Sequence, residues 1–202
     1  MKKRALTATV AVLLIGGITI FTLMKEDPYA NIEIATSSAM FEKFHNIDEL
    51  EKGSELVVIG NFTGERELFH RPDNYGGPGI TLSKSTVNIE KVLKGEAKEK
   101  ETIPVFEESY IKNDYYVNTA DYKWMNKDGR YLLFLEWNTR KDTYIIVGIY
   151  QGKYDLKLTK KIKQHESSKK AFLDSEVEFL GRDHELEHFY KLKEEALKKY
   201  KL

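Results

Sequence analysis

Residues 130–137 read RYLLFLEW: Arg130, Tyr131, Leu132, Leu133, Phe134, Leu135, Glu136 and Trp137. This short apolar run, between Gly129 and Asn138, is the strongest β-strand signal in the chain. A second strand signal, Tyr144-Ile145-Ile146-Val147-Gly148-Ile149-Tyr150, follows the polar turn 138–143. Upstream, Leu56-Val57-Val58-Ile59-Gly60-Asn61-Phe62 is β-branched and too short for a separate buried helix. Thr86-Val87-Asn88-Ile89-Glu90 alternates apolar and polar residues, as a half-buried strand does. Thr102-Ile103-Pro104-Val105-Phe106 is a further strand, which Pro104 pushes towards a sheet edge. Five or six short strands without βαβ spacing predict a mainly β (α+β) chain, an antiparallel barrel or sandwich.

Around these strands the sequence predicts helices and loops. Residues 37–52 read as helical, with Asn46 capping a short turn, Glu49 three residues on, and Gly53 at the end. Two loops look long: 65–82, with Pro72, Gly76, Gly77, Pro78 and Gly79, and 107–129, with Tyr110, Tyr115, Tyr116, Tyr122 and Trp124. The glycines of 72–79 lack the GK[ST] ending of a phosphate loop and lead into no helix, so they read as a turn-rich connection.

The first residues set an address. MKKR is followed by twenty uncharged residues, Ala5 to Met24. A helix of that length spans the roughly 30 Å hydrocarbon core of a bilayer. A cleaved signal peptide is the rival, but its apolar region is usually only about 7–15 residues long. Pro28 also stands where a cleavage site ending at Ala30 needs a small residue. The uncleaved anchor is favoured. Lys2, Lys3 and Arg4 then stay inside, and the chain beyond about residue 30 lies outside the cytoplasm, or is secreted if the segment is cleaved. The expected organisation is a basic stub (1–4), a transmembrane helix (5–24), a linker (25–36), a β domain with a preceding helix (37–156) and a charged, mostly helical tail (157–202).

Charge narrows the function classes. The whole chain is neutral, but residues 26–156 hold sixteen basic and twenty-three acidic residues, a net −7. Such a domain, outside the cytoplasm, is a poor nucleic-acid partner. There is no cysteine, which removes disulfides, thiolate metal sites, a cysteine nucleophile and a lipidated N-terminal Cys.

The stretches ELVVIGNFTGE (55–65), STVNIEKVLKGEAKEKETIPVF (85–106), DGRYLLFLEW (128–137) and YIIVGIYQGKYDL (144–156) form one pattern. It resembles a group of uncharacterised exported or membrane-anchored proteins of Gram-positive bacteria. More distantly it resembles the netrin-like domain, an OB-type β-barrel in which one strand ends in V-x-x-V-x-KG and a later one reads YLVF. The resemblance spans residues 45–156 and implies a small OB-type antiparallel barrel. It carries no chemistry: protease-inhibiting netrin-like domains use an N-terminal Cys on the target's zinc, and this chain has none.

One motif does suggest chemistry. Residues 183–189 read DHELEHF and contain HELEH, a match to the H-E-x-x-H pattern in which two histidines bind zinc and the glutamate activates a water. A chance match is expected about once in 100 chains of this composition, and many motifs compete for a hit. At 100° per residue, Leu186, Phe189, Tyr190, Ala196, Leu197 and Tyr200 share one arc, with Leu192 at its edge and Lys193 an exception inside it. His184 and His188 fall on the opposite face with Glu187, Lys191, Glu195 and Lys198. The histidines are thus expected to face water while the apolar stripe docks. A zinc hydrolase using His184, Glu185 and His188 is the minor alternative.

The tail, 157–202, is net +3 and amphipathic; a docked terminal helix is favoured over one resting on lipid. The five aromatic residues of 107–129 either form a binding surface or close over one end of the β domain. The sequence thus predicts no catalytic residue, metal or cofactor. It predicts a non-catalytic module, anchored in the cell membrane through residues 5–24, that binds an envelope protein, a peptide or cell-wall material. Tyr110, Tyr115, Tyr116, Tyr122 and Trp124 are its candidate binding residues.

Overall fold

A computed structural model describes residues 29–77, 79–162 and 167–202. The expected membrane-spanning segment, 5–24, lies outside the described residues. Among the described residues no helix is long and apolar enough to cross a membrane. Asn31–Leu202 make one compact unit, with nine strands and three α-helices among the described residues.

The strands are β1 (Glu33–Ser37), β2 (Leu56–Arg71), β3 (Ile80–Lys94), β4 (Thr102–Glu107), β5 (Ser109–Lys112), β6 (Tyr115–Thr119), β7 (Arg130–Asn138), β8 (Thr143–Ile146) and β9 (Lys153–Asp155). The helices are α1 (Ile47–Lys52), α2 (Ser168–Leu173) and α3 (Asp183–Tyr200). The larger sheet has the order β2-β3-β4-β8-β7-β9, and β2 also pairs with β7. The pairings β2–β3–β4–β8–β7 therefore return to β2. A smaller sheet has the order β1-β6-β5. Two pairings, β1–β6 and β4–β8, are parallel, so the expected all-antiparallel arrangement does not hold.

Both strongest runs are buried on their two faces. Val57, Val58 and Ile59 are all inaccessible, as are Tyr131 to Leu135. Continuous apolar strands need cover on each side. On one side that cover is α3: Phe189 stacks on Phe179 at 5.0 Å and meets Tyr154 at 5.4 Å, and Tyr200 reaches Phe134 at 6.2 Å. Leu186, Leu192 and Ala196 are buried with them. The apolar stripe expected from the sequence is the docking face. A second cluster joins Ile32 and Tyr116 to Ala171, Phe172, Val177 and Leu180.

Several expectations need correction. The strand at Leu56 runs on to Arg71 and the one at Thr86 starts at Ile80. The long loop 65–82 is therefore a β-hairpin whose connection is only 72–79. Its polar half keeps the ladder, Arg66–Arg71 opposite Ile80–Ser85, past a register shift between Phe62 and Arg66. Pro104 does not mark an edge. The strand β4 pairs with β3 on one side and, through Val105 and Phe106 alone, with β8 on the other. The linker expected over 25–36 ends in β1, which runs on to Ser37. The helix expected over 37–52 is only α1; Asn46 caps it by accepting from Glu49 N at 2.9 Å. The strand expected over 144–150 breaks at Gly148, where φ is 65°. A single 3-10 turn, Ile149–Gly152, then leads into β9. Among its described residues the tail holds two helices, α2 and α3, joined by residues 174–182, which include a turn at Ser175 and Glu176.

Candidate functional site

Strand alternation divides the five aromatic residues. The hairpin β5–β6 turns through Asn113 and Asp114, both at positive φ, the two-residue connection that matches strand twist. In its register Tyr110 stands opposite Val117 and Lys112 opposite Tyr115. Tyr110, Tyr115, Val117 and Thr119 therefore share one face of the small sheet, and Tyr115 is exposed. Tyr116 points the other way and is buried, its ring 4.3 Å from Phe172 and 5.1 Å from Trp124. Its hydroxyl donates to Tyr122 O at 2.9 Å and accepts from Trp124 N at 2.9 Å.

Tyr122 is also buried, and its hydroxyl donates to the Glu107 carboxylate at 2.8 Å. Glu107 is wholly inaccessible. It accepts in addition from Arg66 Nη2 at 2.7 Å, from Met125 N at 2.6 Å and from the Ser85 hydroxyl. The Arg66 guanidinium lies between the rings of Phe62 and Trp124, 4.4 and 4.2 Å from their centroids. So Tyr116 and Tyr122 cannot offer a ring to a ligand, and Trp124 is committed to Arg66. Tyr116 and Tyr122 are therefore corrections to the candidate binding set, whereas Trp124 is only partly buried. The three fasten 120–126 to the larger sheet, because a buried carboxylate is tolerated only when paired and hydrogen-bonded. Burial and the Glu107 charge raise the Tyr122 phenol far above its ordinary range.

Tyr110 and Tyr115 remain on an open face. Beside Tyr110 runs a groove of about 360 Å³ between that face and the start of β3, next to the hairpin turn. Ser37, Glu108, Tyr110, Val117 and Thr119 line one wall, and Gly79 to Leu82 line the other. Partial burial raises the Glu108 carboxyl, opposed by a hydrogen bond with Thr119 and by the Lys141 charge. Lys141 itself lies 5.0 Å from the ring centroids of both Phe69 and Phe106. At the tip of the hairpin, Tyr75 is 95% exposed. Its loop is held by the Asp73 carboxylate, which accepts from Tyr75 N at 3.2 Å and Gly77 N at 3.0 Å. The groove thus brings together a ring, a partly desolvated carboxyl and two hydroxyls.

The HELEH residues part company. His184 is exposed, its Nε2 2.9 Å from Glu185 Oε1. Glu185 lines a separate cleft with Phe41, Asp121 and Tyr150. His188 does not face open water, contrary to the sequence expectation. It is half-buried, with Nε2 3.4 Å from the buried Gln151 Oε1. The reason is that α3 uses both faces. Lys191 donates to His45 O at 2.9 Å, Glu195 accepts from Ile47 N at 2.9 Å, and Tyr200 donates to Glu51 at 2.5 Å. The segment 41–52 thus covers part of the polar face, around His188 and Glu195, while His184, Glu187 and Lys198 stay exposed. Among the described residues no three His, Asp or Glu side chains are grouped to hold a metal.

Sequence reasoning missed Arg66, Glu107, Glu108 and Lys141, because an isolated charge in a strand-rich sequence carries no sign of burial. It also missed Lys123, Lys153 and Lys193, all buried. Only Lys193 gave a signal, as the exception in the apolar arc. No protein-family model matches the chain, and no curated protein matches it.

Proposed function

We propose that this chain is a single-pass, membrane-anchored protein whose domain beyond residue 30 is a non-catalytic binding module at the cell envelope. In this reading the circuit of pairings β2–β3–β4–β8–β7–β2 is a small OB-type barrel. Residues 5–24 are the anchor, and the partner is an envelope protein, a peptide or cell-wall material. The groove between the β2–β3 hairpin and the outer face of the small sheet is the observation that carries the binding reading. It brings Tyr110 together with Glu108, Ser37 and Thr119. Tyr115 extends that face, and the exposed Tyr75 extends the hairpin wall beyond the sheet. Aromatic side chains with polar tips are enriched at such surfaces, and ligand sites are concave with a few placed polar groups.

The test is co-sedimentation of the 29–202 unit with purified cell envelopes, wild type against a Tyr110→Ala, Tyr115→Ala double variant. The expected result is at least about a tenfold loss of retention, the scale of one hot-spot side chain, with an unchanged melting temperature. Equal retention of the two proteins contradicts the reading.

A further inference from the structure

Lys123, Lys153 and Lys193 are 2%, 2% and 4% exposed. Lysine is almost never buried unless its charge is paired. The three come from the chain after β6, from β9 and from α3, and they converge on one segment, Ala171 to Leu180. This segment is the end of α2 and the strap that follows it.

Their surroundings differ. Lys193 is fully provided for. It donates to Asp155 O and Leu158 O, each at 2.7 Å, and to the Glu178 carboxylate. The other Glu178 oxygen accepts from Asp155 N at 2.7 Å, so the negative charge of Glu178 is committed to Lys193. The Asp155 carboxylate accepts from Lys157 N at 2.9 Å. Lys153 has Glu178 O at 3.4 Å and, beyond it, the ring centroids of Tyr122 and Tyr131 at 5.2 and 5.4 Å. Lys123 donates to Ala171 O at 2.9 Å and to Asp174 O at 2.6 Å. Both acceptors are neutral carbonyls at the end of α2. A neutral amine has two N–H groups, enough for both.

Three lysines therefore share one committed carboxylate, and burial opposes the charge of Lys123 and Lys153, whose hydrogen bonds go to carbonyls. We propose that Lys123 is a proton-operated latch: as the free amine it holds Ala171–Leu180 closed over Tyr116, and taking up a proton favours the opened strap. The groups facing Lys123 are Lys153, which opposes its charge, and Asp174 and Glu178, which favour it. Behind them Glu107, Asp155 and Lys193 act on Lys153. Burial outweighs all of these and brings Lys123 down to about 7. Once the strap opens, the side chain returns to a solvated value of about 10.4. Between those values opening binds a proton. The opening constant then grows about tenfold for each unit fall in pH, and levels off below about pH 7. Opening would lift Phe172 from Tyr116 and uncover the second apolar cluster.

The test is amide hydrogen exchange on the full chain at pH 9 and pH 7, corrected for intrinsic rates. Amides of 171–180 are expected to open more readily than those of β7, and about fiftyfold more at pH 7 than at pH 9, since the tenfold-per-unit slope flattens as pH 7 is reached. In Lys123→Met that dependence should flatten. In Lys153→Met, which removes the opposing charge, the Lys123 midpoint should move to higher pH. The second variant and a direct Lys123 side-chain titration by NMR serve if Lys123→Met does not fold. A strap equally protected at both pH values, or a Lys123 midpoint above about 10, overturns the proposal.

Discussion

Arg66 Nη2 lies 2.7 Å from Glu107 Oε1, and Glu107 has no exposed surface. Around this pair Ser85, Tyr122 and Met125 complete the hydrogen bonding of the carboxylate. The pair links β2 and β4 to the chain that carries Tyr122 and Trp124. It therefore fixes the wall behind the small sheet, whose opposite face presents Tyr110 and Tyr115.

Removing one partner of such a pair leaves the other buried and unpaired. Glu107→Gln keeps the shape but not the charge, and it should cost about 3–5 kcal/mol of unfolding free energy. Urea denaturation of the 29–202 unit measures this. A loss below about 1 kcal/mol means that Arg66 finds another acceptor and the pair is not the anchor described.

The divergence of the HELEH side chains predicts their metal behaviour. Purified protein should carry no stoichiometric zinc after dialysis. His184→Ala, at an exposed position, should change stability by no more than about 0.5 kcal/mol. One equivalent of zinc, lost in His188→Ala, restores the zinc-hydrolase reading.

His188 gives a pH prediction. Partial burial, and then the Lys191 ammonium, hold its imidazole below the ordinary histidine range. The unfolded chain accordingly takes up its proton first. The stability that His188 contributes is present above about pH 6.5 and is lost as the pH falls through the window below it. The melting temperature should drop between pH 7 and pH 5, and by less in His188→Gln. Parallel curves for the two proteins contradict this.

How much of this was legible depended on the residue. The runs at Leu56, Thr86, Thr102, Arg130 and Tyr144 announced strands through β-branched and aromatic content. Asn46 announced its cap, and the arc of Leu186, Phe189 and Tyr190 announced the docking face of α3. The second half of the β2–β3 hairpin was illegible because Arg66–Arg71 and Ile80–Ser85 carry polar residues on both faces, so no period of two survives. The short β1 was illegible because its pairing with β6 is a tertiary event, 82 residues away in sequence between Glu33 and Tyr115. Adjacent tyrosines looked alike in the sequence. Only the register of β5 on β6 turns Tyr115 outward and Tyr116 inward.

The account rests on the outer face of the small sheet being where a partner is met. The most direct measurement places a photoreactive benzophenone side chain at position 110 of the full chain in intact cells, with position 198 on α3 as the comparison. Irradiation is predicted to give a discrete cross-linked adduct from position 110 and none from position 198. No adduct from 110, or one from 198 alone, contradicts the account.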